Sequence, residues 1–461
     1  MFRFRWFRTV SLSVLVVLFA FASTAYAVPQ APLHKQFAKK VSAERIYHHV
    51  ATLADRDDAR IAGFEGEHRA ADYIAKELEK YGLKVERQVF PFLAFQDRGS
   101  EVQVVEPEPK TLDGQTMAFS PSTPEGGLTA ELVYADLGSE EDFARVDAEG
   151  KIALIKRGEF SFYEKTQNAA KAGAVGAIIF NNEPGNVNGT LGEPTDIPAV
   201  SLNDEEGEAL KERLDRGEKV AVTVTVDTVI KDSYSQNVIG TIRGKKGSPF
   251  QERKTIVVGA HYDGVDTPAA NDNASGTGTL LELARILSKK PMYHDVKVVF
   301  FGAEEAGLVG STHYVESLSS EEIADIAAMI NMDMVGVGDT MGVMTAEENA
   351  ESFVADRAEE YIQAFGHSYR RTASTRSDHA PFEAAGIPVA FLNYGPDPNY
   401  HTDEDTVDKL SKKNLHHMGV LVATLTHDLA NDRNLPERSA TLSTDGLKGK
   451  KRFHNPEFAN R

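Results

Sequence analysis

The sequence predicts an α/β fold: a mostly parallel central sheet with helices on both faces, and a smaller module inserted into it. Three observations carry this expectation. Apolar runs at Thr255-Ile256-Val257-Val258-Gly259, Val296 to Phe301, Ala328 to Met332 and Pro388 to Leu392 are close to continuously hydrophobic, as strands covered on both faces are. Stretches of helical spacing separate them, which is how parallel strands are joined. From about Asp97 to Val226 the pattern instead breaks into short segments with loop chemistry, such as Ser120-Pro121-Ser122-Thr123-Pro124-Glu125-Gly126-Gly127. At 461 residues the chain also exceeds one ordinary core, so more than one domain is expected.

Ser42 to Leu53 and Glu67 to Tyr81 have helical spacing; in the second, Ala70, Ile74, Leu78 and Tyr81 share a face and Gly82 stops it. Leu83 to Phe92 alternates as a strand. In the middle region, Gly150 to Gly158 is a strand bounded by glycines, Phe162 to Ala172 a helix, and Gly176 to Phe180 and Ile197 to Leu202 two further strands. Asp204 to Leu214 is a helix with Asp204 as its expected N-cap, and Val220 to Val226 closes the region. Helices follow at Ser275 to Lys289, Ala350 to Phe365 and Asn414 to Leu429. The expected division is a leader over 1–27, a main domain over 28–97 and 231–430, an inserted domain over 98–230, and a polar tail over 431–461.

Arg3, Arg5 and Arg8 precede the apolar stretch Val10 to Phe21, and Ala25-Tyr26-Ala27 offers a small-x-small cleavage site. This reads as a secretory signal, and the apolar stretch is short for a spanning helix. The expected location is therefore extracellular, with a cell-wall contact through the basic cluster Lys448, Lys450, Lys451 and Arg452 left open. The chain has no Cys, so disulfides are excluded, and its formal net charge of -19 argues against nucleic acid as a partner.

The chemistry gathers at strand ends. His261 closes one apolar run, Glu304-Glu305 follow a second, and Asp333 follows a third; Asp272 lies in Ala270-Asn271-Asp272-Asn273-Ala274-Ser275-Gly276, and His401 comes later. In open α/β sheets the carboxyl ends of strands are where ligands bind. Imidazole and carboxylate together suit zinc, and five such side chains exceed what one catalytic zinc takes. They suit two zinc ions if one carboxylate bridges, and Asp272 is the natural bridge. Glu304 is then free to take a proton from water and pass it to a leaving amine. Asp263, two residues past His261, is placed to fix the imidazole, and Tyr400 could donate to a developing oxyanion. Singly, each has an ordinary structural explanation: a strand cap, a solvated helix start, a packed ring. Their joint placement is what makes a catalytic centre the better reading.

These motifs resemble a known family. Gly259-Ala260-His261-Tyr262-Asp263, the Asp272 loop, Phe301-Gly302-Ala303-Glu304-Glu305-Ala306-Gly307, Asn331-Met332-Asp333-Met334, Ser377-Asp378-His379 and Tyr400-His401-Thr402 are similar to those of the double-zinc aminopeptidases of the family-28 metallopeptidases. The inserted region, through Gly150 to Arg157, Ala169-Ala170-Lys171-Ala172-Gly173-Ala174 and Ile197-Pro198-Ala199-Val200, resembles the protease-associated (PA) domain. The resemblance implies a zinc-peptidase, phosphorylase/hydrolase-like fold and a secreted, monomeric enzyme that removes N-terminal residues from peptides, with an expected preference for Leu-like or other large side chains. It implies two Zn2+ per chain: His261 and Asp333 on one, Glu305 and His401 on the other, Asp272 between them. Glu304 would be the general base, Asp263 would orient His261, Tyr400 would stabilise the transition state, and Arg376 would lie near the substrate. Two rivals keep the same fold. A glutamate-carboxypeptidase-type enzyme would need a basic pocket, for which Arg370, Arg371 and Arg376 are candidates. A receptor-like binding module would lack the metal site.

Overall fold

The structure, a computed structural model, describes residues 31–187, 189–245 and 253–436. The expected signal segment and the basic cluster at Lys448 to Arg452 lie outside the described residues.

The described strands are β1 (Lys84–Glu106), β2 (Lys110–Leu112), β3 (Gln115–Thr116), β4 (Leu128–Tyr134), β5 (Ile152–Lys156), β6 (Gly176–Phe180), β7 (Ala199–Leu202), β8 (Ala221–Ile242), β9 (Thr255–His261), β10 (Asp295–Phe301), β11 (Ile326–Met332), β12 (Thr340–Thr345), β13 (Tyr369–Ala373) and β14 (Val389–Gly395). They form one 14-stranded sheet in which β13-β12-β14-β11-β9-β10-β8 make the main half and β4-β5-β6-β7-β3 the smaller half. The centre of the main half, β14-β11-β9-β10, is parallel, as the apolar runs predict. Antiparallel pairings with β8 and β12 flank it.

Successive residues of the central strands feed opposite faces. Val258, Val298 and Ile330 pack under the helices Glu65–Lys80, Gly276–Leu287 and Lys412–Leu429. Val257, Val299 and Met329 pack instead with Tyr314 and Phe382, whose rings stack 5.6 Å apart. Burial on both faces is why these runs carry no polar alternation. Close packing leaves no room at Gly259, where an added Cβ would stand 2.5 Å from the Phe301 ring.

The structure adds to and departs from the sequence expectations in several places. Strands expected to end at Phe92 and Val226 are parts of β1 and β8, which pair from Lys84↔Thr241 to Glu106↔Ala221 as a long antiparallel ribbon. The expected domain limits near 98 and 230 fall inside this ribbon, so strands rather than linkers lead into the inserted region. The middle of β8, Asp227 to Tyr234, has no buried position, so cross-strand backbone hydrogen bonds hold it without a hydrophobic period to announce it. The helix over Asp204–Asp215 is capped by Asn203, which has extended backbone and accepts the Glu206 N–H at 2.8 Å; Asp204 is its first helical residue. The polar tail is docked as far as it is described: Arg357 bridges Asp428 and Asp432 at 3.1 and 3.0 Å, and Leu435 packs on the main core. Finally, the lead before Ser42 contains a short helix, Ala31–Ala38.

Candidate metal centre

Each candidate donor is fixed by the element that delivers it. His261 is the last residue of β9, and its carbonyl accepts the Thr277 hydroxyl at 2.7 Å. The chain then enters a π-helical turn, Ala270–Ser275, through Ala269 in the left-handed region, with Asp272 and Asn273 leaving helical geometry. A cis peptide joins these two residues. The turn leads straight into the helix Gly276–Leu287; a Cβ on Gly276 would lie 2.6 Å from the Met332 carbonyl, so that close approach needs glycine.

Asp405, which the sequence reading passed over, anchors the turn from the far side. Its two carboxylate oxygens accept the N–H groups of Asn271 and Asp272 at 2.7 and 3.1 Å. Arg60, also passed over, is buried and donates to the carbonyls of Leu53, Tyr262, Pro268 and Ala269 at 2.6 to 3.2 Å. Both lie far in sequence from the loop they hold, and neither sits in a periodic pattern. The Asp-rich run Asp403-Glu404-Asp405 was the available signal for the first.

The donors converge. His261 Nε2 lies 3.3 Å from both Asp272 Oδ1 and Asp333 Oδ1. His401 Nε2 lies 3.0 Å from Asp272 Oδ2 and 3.2 Å from Glu305 Oε1. Two donor sets thus share Asp272: His261, Asp272 and Asp333; and Asp272, Glu305 and His401. The donor atoms within each lie within 4.8 Å of one another. A third set, His261, Glu304 and Glu305, places Glu304 beside them.

Around the donors, Asp333 Oδ2 accepts the Ser377 hydroxyl at 2.8 Å. Asp263 Oδ1 stands 3.5 Å from His261 Nδ1. The same carboxylate also accepts the N–H groups of Glu304 and Glu305, each at 3.1 Å, so it positions the glutamate pair as well as the imidazole. Tyr400 stacks its ring on His401 at 3.8 Å. Arg376 is exposed, with its charge near the Tyr400 phenol. Arg371 is engaged elsewhere, 2.7 Å from Glu359.

The electrostatics are those of a cation site. Burial raises Glu304 well above the ordinary range, and Glu305 and the other carboxylates push it further. Glu305 and Asp333 are raised by burial, with Asp272 adding to both. Burial works against a charged His401, yet Glu305 and Asp272 outweigh it and lift the imidazole to about 10. Asp272 is held low despite its burial because both imidazoles face it. Carboxylates are concentrated in a water-poor space with more negative charge than the imidazoles can balance. That donor set fits divalent cations, and one imidazole with two carboxylates in each half is a combination zinc accepts.

Comparison with known proteins agrees with the geometry. The family model described as "Peptidase family M28" matches residues 237–426, and that described as "PA domain" matches 128–210. The chain is 35% identical over 415 residues to aminopeptidase YwaD of Bacillus subtilis (strain 168), covering 86% of each. The chain belongs to peptidase family M28. Among solved structures it is similar to the aminopeptidase from Aneurinibacillus sp. strain AM-1, at 36% identity and a TM-score of 0.77, covering 88% of this chain and 98% of that one. It is also similar to BSAP, a zinc aminopeptidase from Bacillus subtilis, at 34% identity and a TM-score of 0.69, covering 86% and 97%. The expectation of an M28 metallo-aminopeptidase with an inserted PA domain is met.

Proposed function

We propose that this chain is a secreted aminopeptidase that uses two zinc ions to remove the N-terminal residue, Leu-like residues among them, from peptides. The observation that carries the reading is the pair of donor sets sharing Asp272. His261 and Asp333 would hold one ion, Glu305 and His401 the other, with Asp272 contributing to both. When bound there, zinc would lower the pKa of a shared water and polarise the scissile carbonyl.

The remaining work falls to the chain's own side chains. Glu304, not needed as a ligand, takes the proton of the attacking water and returns it to the amine of the departing peptide. Asp263 holds both the base and a ligand in place, since one carboxylate accepts the Glu304 backbone N–H and faces the His261 ring. Tyr400 donates its hydroxyl to the oxyanion as the carbonyl becomes tetrahedral, and burial beside Asp272 and Glu305 keeps that hydroxyl protonated. Arg376 lies at the substrate's approach. The acidic surroundings favour a cationic α-amine over a carboxylate terminus. Engagement of Arg371 by Glu359 removes one candidate for the basic pocket of a carboxypeptidase.

Export rests on the signal-like segment of 1–27, and no helix among the described residues is long and apolar enough to cross a membrane. The substrates are peptide or protein N-termini, met by a single chain acting as a monomer. Native mass spectrometry of the zinc-loaded protein tests the metal arrangement: two zinc ions per chain are expected, and saturation at one would overturn it.

A further inference from the structure

A cavity of about 640 Å³ opens beside Glu305 and His401 and runs away from them between the main domain and the inserted region. Its apolar wall comes from both sides: Ile61, Val265 and Ala306 from the main domain, Phe92 and Phe95 from the β1 ribbon, and Phe119 from the inserted region. Apart from Ile61, these side chains are only half-buried, so the wall presents hydrophobic surface to whatever fills the cavity. The Phe95 and Phe119 rings lie 5.2 Å apart and form one continuous aromatic surface.

Phe119 has an unusual backbone. It follows Met117 in a tight turn closed by the Ser120 N–H to Met117 carbonyl bond at 2.9 Å, and its φ is +67°. That is a position where a turn favours glycine and where a bulky residue is uncommon. The neighbouring Ala118 N–H and carbonyl are both tied to the 189–191 segment at 2.9 Å, which fixes the turn. A left-handed aromatic residue facing a cavity beside the reacting centre fits a ring held there for its contacts, since strained conformations cluster at functional sites.

We infer that this cavity is the subsite for the residues of the peptide substrate that follow the scissile bond, and that Phe95 and Phe119 select apolar side chains there. The inference rests on the aminopeptidase reading above. An enzyme that removes one residue has a single side chain before the scissile bond and the rest of the peptide after it. A cavity of this size matches a ligand of several residues rather than one side chain, and it reaches the metal donors directly. An apolar and aromatic lining gains most from hydrophobic side chains, through area and ring contacts.

The test compares kcat/KM for the tripeptides Leu-Phe-Leu and Leu-Gly-Gly, with leucinamide as a substrate that has nothing after the cleaved bond. The zinc-loaded wild-type enzyme should favour Leu-Phe-Leu, chiefly through KM. In Phe119→Gly, which suits the turn's positive φ and so keeps the fold, the ratio between the two tripeptides should fall by about tenfold, the scale of one lost aromatic contact. Phe95→Ala should lower it in the same direction. An unchanged ratio in both variants would overturn the subsite, whether activity stayed constant or fell equally on all three substrates. Failure of the wild-type enzyme to hydrolyse leucinamide or either tripeptide would instead remove the aminopeptidase reading, and the subsite with it.

Discussion

At the scale of single residues, Glu304 makes the sharpest claim. It is buried, raised in pKa by burial and neighbouring acids, and belongs to neither donor set that shares Asp272. On the proposed role, Glu304→Gln should lower kcat by about 10²–10⁴-fold, the range of a lost general base, while zinc content stays at the wild-type level. Loss of zinc from this variant would make Glu304 a ligand and contradict the assignment. The residue scale also marks the reach of sequence reasoning. The grouping of the candidate donors was partly legible: His261, Glu305 and Asp333 stand at or just past the ends of apolar strands, whereas Asp272 was marked by its Asn-rich loop and His401 by the family resemblance. Asp405 and Arg60 were not. Their work is done by hydrogen bonds to backbone groups of a loop more than 130 positions away, and no local pattern encodes such a partner.

At the scale of elements, legibility followed burial. Central strands β9, β10 and β11 stood out because both faces are covered and nearly every position is apolar. Helices such as Glu65–Lys80 were readable from one apolar stripe, with Ala70, Ile74 and Leu78 buried. The ribbon of β1 and β8 was only half readable. Val222, Val224 and Val226 alternate inward, but the segment from Asp227 to Tyr234 has no buried face, and its pairing with β1 is a backbone matter. The turn at Ala270–Ser275 that carries the candidate donor Asp272 was recognised by its residues, not its shape. Nothing in Asn271-Asp272-Asn273 announces a π-helical turn, since the turn depends on Asp405 accepting two of its N–H groups.

At the scale of the whole molecule, the α/β class and the inserted module followed from the alternation of apolar runs and the change of texture after Asp97. How one sheet could join both halves was out of reach, because β8 serves both through different ends. Stability at this scale should depend on pH through buried imidazoles. His49 and His379 are each lowered to about 4, chiefly by burial. Unfolding restores an ordinary value of about 6.5, so the unfolded chain binds more protons between these limits. Their contribution is therefore complete above pH ~6.5 and is lost as pH falls to ~4, at up to about 1.4 kcal/mol per unit for each group. Compared with wild type, His49→Gln should lose less Tm, or gain more, between pH 6.5 and 4, because one depressed imidazole no longer takes up a proton on unfolding. Buried carboxylates such as Glu67, raised to about 8 chiefly by burial, act in the opposite direction on both proteins. Parallel Tm profiles for the two proteins from pH 6.5 to 4 would contradict this burial effect at His49.

The proposed reaction is a metal-dependent attack on a peptide bond next to a free α-amine. Hydrolysis of leucyl-p-nitroanilide, measured beside its N-acetylated form with and without a chelator, tests it most directly. Cleavage of the free-amine substrate alone, abolished by chelation and restored by zinc, is the expected result. Cleavage of the acetylated substrate, or activity untouched by a chelator that strips the metal, would contradict it.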